Sequence, residues 1–220
     1  MEFNRHSKAV GIVVLLVGAV ALSGCAATHV AISKRDLDVQ TKMSSTIFLD
    51  PVPKEKHTIY LQVRNTSDRP DFQITDSIKA GIQSRGYRIV NDANRAHYML
   101  QINILQVGKI DPAAAERIFT AGYGGAIAGA MAGAAMGNGS VRDASAGGLI
   151  GGIAETISGA FVKDVTFSII TDLQISERNG GAWKRYQTRI LSTANKVNLE
   201  FAEAQPSLEK GLIASLSGLF

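Results

Sequence analysis

The chain has 220 residues, of which 45% are hydrophobic, and a formal net charge of +4. This length provides enough apolar surface for one or two small folded domains. The small charge excess is scattered along the sequence, which argues against a nucleic-acid-binding protein, because such proteins concentrate basic residues on one face.

The first 24 residues have the pattern of a bacterial signal peptide. Arg5 and Lys8 precede an uninterrupted apolar run from Ala9 to Leu22, and small residues follow that run. The run is shorter than the roughly 20 apolar residues that a membrane-spanning helix needs. We therefore expect residues 1–24 to be removed during export.

The residues at the expected cleavage point, Leu22-Ser23-Gly24-Cys25, resemble the lipobox of bacterial lipoproteins. This resemblance implies cleavage between Gly24 and Cys25, with a diacylglycerol and an N-acyl chain carried by Cys25. Because Cys25 is the only cysteine, a disulfide within the chain is excluded. Ala26, where lipoproteins retained in the inner membrane typically have Asp, favours the outer membrane. The alternative is a plain signal peptide with an accidental cysteine.

Residues 25–117 are predicted to form the first half of an α+β domain. Three isoleucines spaced four apart, Ile74, Ile78 and Ile82, predict a helix that Gly86 can end. Alternating apolar residues predict strands on either side of that helix. The predicted strands are STIFLDP (45–51), HTIYLQVRN (57–65), YRIVN (87–91) and AHYMLQINILQV (96–107), and Tyr98, Leu100, Ile102 and Ile104 share one face of the last.

Residues 118–161 form an apolar segment that contains 12 of the 22 glycines. Small residues recur every four positions in two stretches that a polar turn separates, and this spacing places them on one face of a helix. In lipid, backbone hydrogen bonds must be made internally, and rows of small residues allow close helix packing. The segment therefore predicts a transmembrane helical hairpin. The predicted packing residues are Gly125, Gly129, Gly133, Gly137, Gly147, Gly148, Gly151 and Gly152.

One such hairpin would leave glycine faces without a partner, so we expect a homo-oligomeric ring or bundle. Each arm has about 17 residues and a length of about 25 Å, which is short but tolerable in a thin outer membrane. Glu155, inside the second arm, is expected near the headgroups or at a contact between subunits. The alternative for the whole segment is a flexible, glycine-rich insertion in the aqueous compartment.

Residues 162–220 are predicted to complete the α+β domain. Strict alternation puts six residues on one face of a strand: Val165, Phe167, Ile169, Thr171, Leu173 and Ile175. NGG at 179–181 is a turn signal, so this strand and WKRYQTRILSTA (183–194) should form a hairpin. A final helix is predicted from Leu208, Leu212 and Leu216, with Ser207 as its N-cap. The fold class is thus α+β, with a small antiparallel or mixed sheet and two packing helices.

Catalytic and metal-binding patterns are not evident in the sequence. The histidines that survive cleavage, His29, His57 and His97, lack metal-ligand spacing. His97 opens a strand next to Tyr98 and is interpreted as structural. We therefore predict no catalytic residues, no metal and no cofactor beyond the acyl chains on Cys25, and the protein is expected not to be an enzyme.

Three blocks closely resemble the TraT outer-membrane lipoproteins of conjugative plasmids. They are AISKRDLDVQTKMSSTIFLDP (31–51), DVTFSIITDLQISER (164–178) and YQTRILSTANKVNLEFAEAQPSLE (186–209). The resemblance extends over nearly the whole chain after Cys25, in the same order. It implies an oligomeric outer-membrane lipoprotein of a Gram-negative bacterium, with a role in surface exclusion during conjugation and in complement resistance.

One departure concerns the turn between the last two predicted strands. Plasmid members carry a longer polar insertion there, whereas this chain has only NGGAWK (179–184). Partners of the resembling proteins would be outer-membrane lipids, sister copies and either the donor-cell mating surface or complement components. Two alternatives remain: a structural envelope lipoprotein or pore-like assembly, and a lipid-tethered periplasmic binding module.

Overall fold

The structure, a computed structural model, describes residues 34–125 and 163–220. The helices and strands are, in chain order, β1 (Asp38–Met43), β2 (Thr58–Asn65), α1 (Thr75–Ser84), β3 (Arg88–Val90), β4 (Tyr98–Lys109), α2 (Pro112–Thr120), β5 (Asp164–Asn179), β6 (Ala182–Val197) and α3 (Phe201–Ser217). Short 3₁₀ turns at Lys54–Lys56 and Ala93–Arg95 precede β2 and β4. The signal peptide 1–24 and most of the predicted membrane hairpin 118–161 lie outside the described residues.

All six strands form one mixed sheet in the order β1-β6-β5-β4-β2-β3. β1, β6, β5 and β4 pair antiparallel, whereas β2 pairs in parallel with both β4 and β3. The long β5–β6 hairpin closes through Gly180 and Gly181, whose φ angles are +56° and +90°. Such positive angles at both central positions are favoured by glycine and match the twist of a tight hairpin. The predicted hairpin and the mixed sheet are confirmed.

The helix-covered face of the sheet contains the main apolar core. The six alternating residues predicted on β5 all face this side, and Ile169, Leu173 and Ile175 have no exposed surface. α1 contributes Ile78 and Ile82, and α3 contributes three leucines spaced four apart, so both helices bury one stripe each. These are the two packing helices that the sequence predicts.

The second face of the sheet carries a third helix, α2, that the sequence analysis did not predict. Asp111 caps its N-terminus, because the side-chain Oδ1 accepts the Ala114 N–H at 2.9 Å, and Pro112 occupies the first turn. Ala114, Ala115 and Ile118 of α2 pack on a small apolar cluster. That cluster also contains Ile110, Ile170 and Leu191. Helix α2 runs past residue 118, where the predicted hairpin segment begins.

One predicted strand and one helix start were wrong, and one strand was missed, near the chain's first and last elements. STIFLDP (45–51) is not a strand, and the strand β1 lies just before it in a segment for which no element was predicted. α3 begins at Phe201 after Glu200 instead of after Ser207, so Pro206 lies inside the helix. Within residues 34–125 and 163–220, no helix combines the length and hydropathy needed to cross a membrane.

Candidate functional site

A buried ion pair crosses the second face of the sheet beside α2. Arg189 on β6 and Asp172 on β5 are directly opposite in the hairpin register. Two hydrogen bonds join them, from Nε to Oδ1 at 2.6 Å and from Nη2 to Oδ2 at 3.0 Å. Only 1% of Arg189 is exposed, and it is the largest fully buried side chain in the described part of the chain. A bidentate pair of this kind is strong, and losing either partner leaves an uncompensated buried charge.

The same pair holds the start of the glycine-rich segment. Nη1 of Arg189 donates to the carbonyl oxygens of Ile118 at 2.7 Å and Gly125 at 2.9 Å. The backbone N–H of Gly124 donates to Oδ2 of Asp172 at 2.9 Å. We term these two side chains and three backbone groups the Arg189 clamp. The clamp fixes the end of α2 and the following loop to the middle of the β5–β6 hairpin.

Glycines give that loop its shape. Gly122 and Gly124 both have φ of +70°, a conformation that side chains with a Cβ rarely adopt. A Cβ on Gly125 would collide with the carbonyl oxygen of Ala121. Gly125 is the predicted packing residue that the structure describes, and it lies at a close backbone approach and supplies a carbonyl to the clamp. The other predicted site residues lie outside the described residues: Gly24, Cys25, Gly129, Gly133, Gly137, Gly147, Gly148, Gly151 and Gly152.

The first residues of the two described ranges, Lys34 and Lys163, both lie at the open end of the β5–β6 hairpin, opposite its turn. There the N–H of Val197 donates to the carbonyl of Lys34 at 2.9 Å, and the N–H of Lys163 donates to Oδ1 of Asn198 at 3.0 Å. The clamp contacts β5 at Asp172, eight residues beyond Asp164, the first residue of that strand, which corresponds to about 26 Å along an extended strand. The glycine-rich segment therefore starts and ends at well-separated points of the sheet.

Beyond the clamp, the second face carries a row of four glutamines, one on each of four neighbouring strands. Side-chain amides link Gln187 to Gln174, Gln174 to Gln101, and Gln101 to Gln62, each at 2.7 Å. The four residues are directly opposite one another in the register. We term this set the glutamine row. It fixes the amide orientations on a part of the sheet that remains accessible to solvent.

A groove lies over part of this row. Its floor consists of Gln62, Gln101 and Gln174, and its wall is formed by the loop that the clamp holds. Tyr123 from that loop lines the groove and is 39% exposed. Arg64 on β2 also lines it. We term this surface the amide groove; it combines amides, one guanidinium and one aromatic ring.

The turn end of the sheet contains an aromatic cluster around His97. The His97 ring packs edge-on against Tyr98 at 4.6 Å, and its Nε2 has no hydrogen-bond partner among the described residues. Burial lowers the pKa of His97, and the nearby Lys56 and Arg178 lower it further, whereas Glu177 raises it. Burial also raises the pKa of Tyr98. In the described ranges, no three or more His, Cys, Asp or Glu side chains are grouped to hold a metal ion.

The clamp and the glutamine row were not predicted, although the sequence carried a signal for each. Once the turn is placed at Gly180 and Gly181, counting outwards puts Asp172 opposite Arg189 and Gln174 opposite Gln187. Opposite charges directly across a hairpin, next to apolar residues such as Leu173 and Ile190, are consistent with a cross-strand pair. The carbonyl partners of Arg189 carry no such signal, because any residue supplies a backbone oxygen.

The family model and the similar proteins of known sequence all indicate the same family. The family model described as the enterobacterial TraT complement resistance protein matches residues 36–182 and 179–220. A TraT complement resistance protein of Escherichia coli is 37% identical over 249 residues, covering 98% of this chain and 99% of the relative. A protein of the same name from Wigglesworthia glossinidia brevipalpis is 29% identical over 247 residues and the full length of both chains.

The E. coli alignment is longer than this chain of 220 residues, so the relative contains residues that this chain lacks. The two stretches matched by the family model meet at residues 179–182, which form the turn between β5 and β6. This meeting point is where the sequence predicts that an insertion of plasmid members is absent.

Among solved structures, the chain is similar to a PelC dodecamer from Paraburkholderia phytofirmans. The TM-score is 0.35 and the identity 11%, with 81% of this chain and 97% of the other chain covered. A similarity this weak supports no statement about assembly.

Proposed function

The chain belongs to the TraT complement resistance family, and from this premise we propose that it is a non-enzymatic outer-membrane lipoprotein that protects its cell by obstruction. It would limit complement deposition and would block stable mating contacts between cells, which is surface exclusion. The observation that carries this proposal is the family match, which extends from residue 36 to residue 220. The family is named for complement resistance and not for a reaction, which fits a non-enzymatic role.

The proposed anchor is the acylated Cys25, produced by cleavage after Gly24. Each methylene of an acyl chain that enters the bilayer contributes about 0.8 kcal/mol, so several chains give stable attachment. The described chain begins at Lys34, which pairs with the open end of the hairpin at Val197. Only eight residues lie between Cys25 and Lys34. This short tether favours an arrangement in which the open end of the hairpin faces the lipid and the turn end points away.

We propose that the glycine-rich segment enters the membrane and packs against sister copies through its rows of small residues. The Arg189 clamp supports this proposal, because it fixes the start of the segment to the folded body at Gly124 and Gly125. Movement of the segment would then be transmitted to the sheet instead of being absorbed by a loose linker. The expected product is a homo-oligomer whose folded bodies crowd the membrane surface.

Obstruction in this proposal depends on a rigid body that extends from the membrane. Each strand of the β5–β6 hairpin has 16 residues, which corresponds to roughly 54 Å if the strands were fully straight. The turn Gly180-Gly181 is therefore remote from the anchor. If the longer relatives carry their extra residues at that turn, as the sequence predicts, exclusion specificity is expected to differ while general obstruction is retained.

A serum assay tests the complement role. The chain is produced in a serum-sensitive Gram-negative host, and survivors are counted after exposure to active and to heat-inactivated serum. We expect more survivors with the wild-type chain in active serum only. Cys25→Ser is the matched control, since it removes the acylation site without changing the folded body. Equal survival with and without the wild-type chain would refute the complement role, provided that the wild-type chain is shown to be present at the cell surface.

A mating assay tests the exclusion role separately. Recipient cells with or without the chain receive a conjugative plasmid, and transconjugants per recipient are counted. We expect fewer transconjugants with the wild-type chain. Extending the Gly180-Gly181 turn with the polar insertion of a longer relative should change which donors are excluded and leave serum survival unaltered. Unchanged mating efficiency for every donor tested would argue against the exclusion role. The complement role would be unaffected, because the serum assay tests it independently.

A further inference from the structure

The amide groove is a polar surface whose floor side chains are linked by hydrogen bonds. Its floor is the exposed side of β2, β4 and β5, and its wall is the loop that the Arg189 clamp immobilises. Gln101 and Gln174 are half-buried in the floor, and both are held by neighbours on either side. The groove is therefore rigid on two sides without depending on a bound molecule.

The glutamine row presents hydrogen-bonding groups at regular spacing. A primary amide has two N–H donors and two acceptor lone pairs, and the row uses one of each from Gln101 and Gln174. Each of these glutamines keeps one donor and one acceptor for a ligand. Since neighbouring strands are about 4.8 Å apart, the four amides extend over about 14 Å. A ligand that lies along the row would meet alternating donors and acceptors.

The composition of the groove disfavours a protein or a strongly anionic ligand. Protein interfaces concentrate their binding energy in well-packed, fully desolvated pockets, whereas the floor side chains here are amides, and the aliphatic lining residues Leu61, Val63 and Ile102 pack against the main core. Arg64 contributes a single guanidinium, and the Asp172 carboxylate at the edge is occupied by Arg189 and by Gly124. A ligand held by charge alone would thus bind this groove weakly. Recognition of a ligand here would depend on several uncharged hydrogen bonds.

Tyr123 adds an aromatic surface to these amides. Its ring lines the groove wall and remains accessible, and the clamp holds its neighbour Gly124 in place. Planar amides that bind hydroxyl groups, together with a ring that can pack against C–H groups, match the two kinds of surface on a sugar. We propose that the amide groove binds an uncharged glycan chain that lies along the glutamine row against Tyr123. This goes beyond the proposed obstruction and does not depend on it.

The test uses the full-length protein purified in a detergent without a sugar headgroup. Maltohexaose, cellohexaose and chitohexaose are each titrated in ligand-observed saturation-transfer NMR. We expect saturable binding of at least one uncharged hexaose. A hexamer of galacturonic acid and an extended glycine–serine peptide are titrated in parallel. Absence of binding by all three uncharged hexaoses, or binding only of the acidic hexamer or the peptide, overturns the proposal.

Variants then locate the bound oligosaccharide. Gln101→Ala and Gln174→Ala should each weaken binding about fivefold to tenfold, the effect of losing one or two hydrogen bonds. Gln83→Ala, at an exposed position of α1, is the matched control and should bind like the wild type. Equal affinity of the groove variants and the control would place the oligosaccharide elsewhere and overturn the assignment.

Tyr123 provides a second test that does not depend on the sheet. Tyr123→Phe keeps the ring and should retain binding, whereas Tyr123→Ala should lose at least about fivefold in affinity. The loop is exposed at this position, so both variants are expected to fold, and their thermal unfolding serves as the check. Equal affinity of the Phe and Ala variants would show that no ring contact exists and would overturn the proposed pose.

Discussion

The two faces of the sheet are held by different interactions. The helix-covered face relies on apolar burial, in which α1 and α3 pack on the sheet around a continuous core. The second face relies on one buried ion pair, a short helix and a row of amides, and part of it stays open. The first arrangement stabilises the fold, whereas the second fixes the start of the glycine-rich segment and shapes a groove. Substitutions on the two faces should therefore differ in how much they change stability and in which part of the structure they disturb.

Removing one partner of the Arg189 clamp is expected to have the largest effect. Asp172→Leu leaves a buried guanidinium without its carboxylate, and such a loss costs about 3–5 kcal/mol. We expect the free energy of unfolding, measured by chemical denaturation, to fall by that amount. Lys79→Ala, which removes an exposed ion pair with Asp76, is the control and should change stability by less than about 0.5 kcal/mol.

The double variant Asp172→Leu/Arg189→Met distinguishes charge from geometry. An apolar pair removes the uncompensated charge, so the double variant should be more stable than Asp172→Leu alone. The carbonyls of Ile118 and Gly125 would still lose their donor, and the loop should exchange amide hydrogens faster than in the wild type. Strictly additive losses, or an unchanged loop, would contradict the clamp's assigned role.

Truncation of a core leucine should cause the second-largest loss of unfolding free energy. Leu208 on α3 has no exposed surface, and Leu208→Ala should cost about 3 kcal/mol through lost burial and the cavity that remains. Leu105→Ala is the matched change on the second face, where the side chain is only partly buried, and it should cost clearly less. Thermal denaturation of both variants makes the comparison, and equal losses would mean that the two faces are equally packed.

The helix-covered face was predictable because its residues obey simple periods. Alternation on β4 and β5 and the four-residue spacing on α1 and α3 are each produced by burial of one side of an element. The strand β1 was missed because it lies at the sheet edge with an exposed, mostly polar surface. Helix α2 was missed because it is short and its alanines provide little periodic contrast, although Asp111-Pro112 marks its start.

The incorrect strand at 45–51 has a local cause. β1 pairs with β6 as far as Met43, and the N–H of Ser44 still reaches the carbonyl of Arg189. The N–H of Ser45 then turns to the side-chain hydroxyl of Thr188, and Oγ of Ser45 donates to the carbonyl of Gln187. Side-chain partners thus replace the backbone ladder, which periodicity cannot reveal.

A methyl group at Gly211 should produce an intermediate effect by overpacking the contact between α3 and the sheet. Its Cβ would collide with Oγ1 of Thr41 and lie 3.1 Å from Oγ of Ser192. Gly211→Ala is expected to lower the unfolding free energy by about 1–3 kcal/mol, despite the better helix propensity of alanine. Adding Thr41→Ala removes the obstructing hydroxyl and should recover part of the loss. A more stable Gly211→Ala variant would show that the helix shifts freely.

The smallest expected effect is a pH dependence at the turn end, in the aromatic cluster around His97. Burial and the cations Lys56 and Arg178 lower the pKa of His97, against an opposing effect of Glu177. As the pH falls below about 6.5, the unfolded chain takes up a proton at this residue that the folded chain does not. Stability therefore falls with decreasing pH, by at most about 1.4 kcal/mol per unit, until the folded-state pKa is passed.

His97→Gln tests this dependence, because its side chain does not titrate. Unfolding free energies of both proteins are measured from pH 7.5 to pH 5. We expect the difference between wild type and variant to change in the variant's favour as the pH falls below about 6.5. The His97 ring would then account for part of the acid sensitivity of the turn end. Parallel pH profiles would mean that His97 is protonated equally in both states, and that its burial is not maintained in solution.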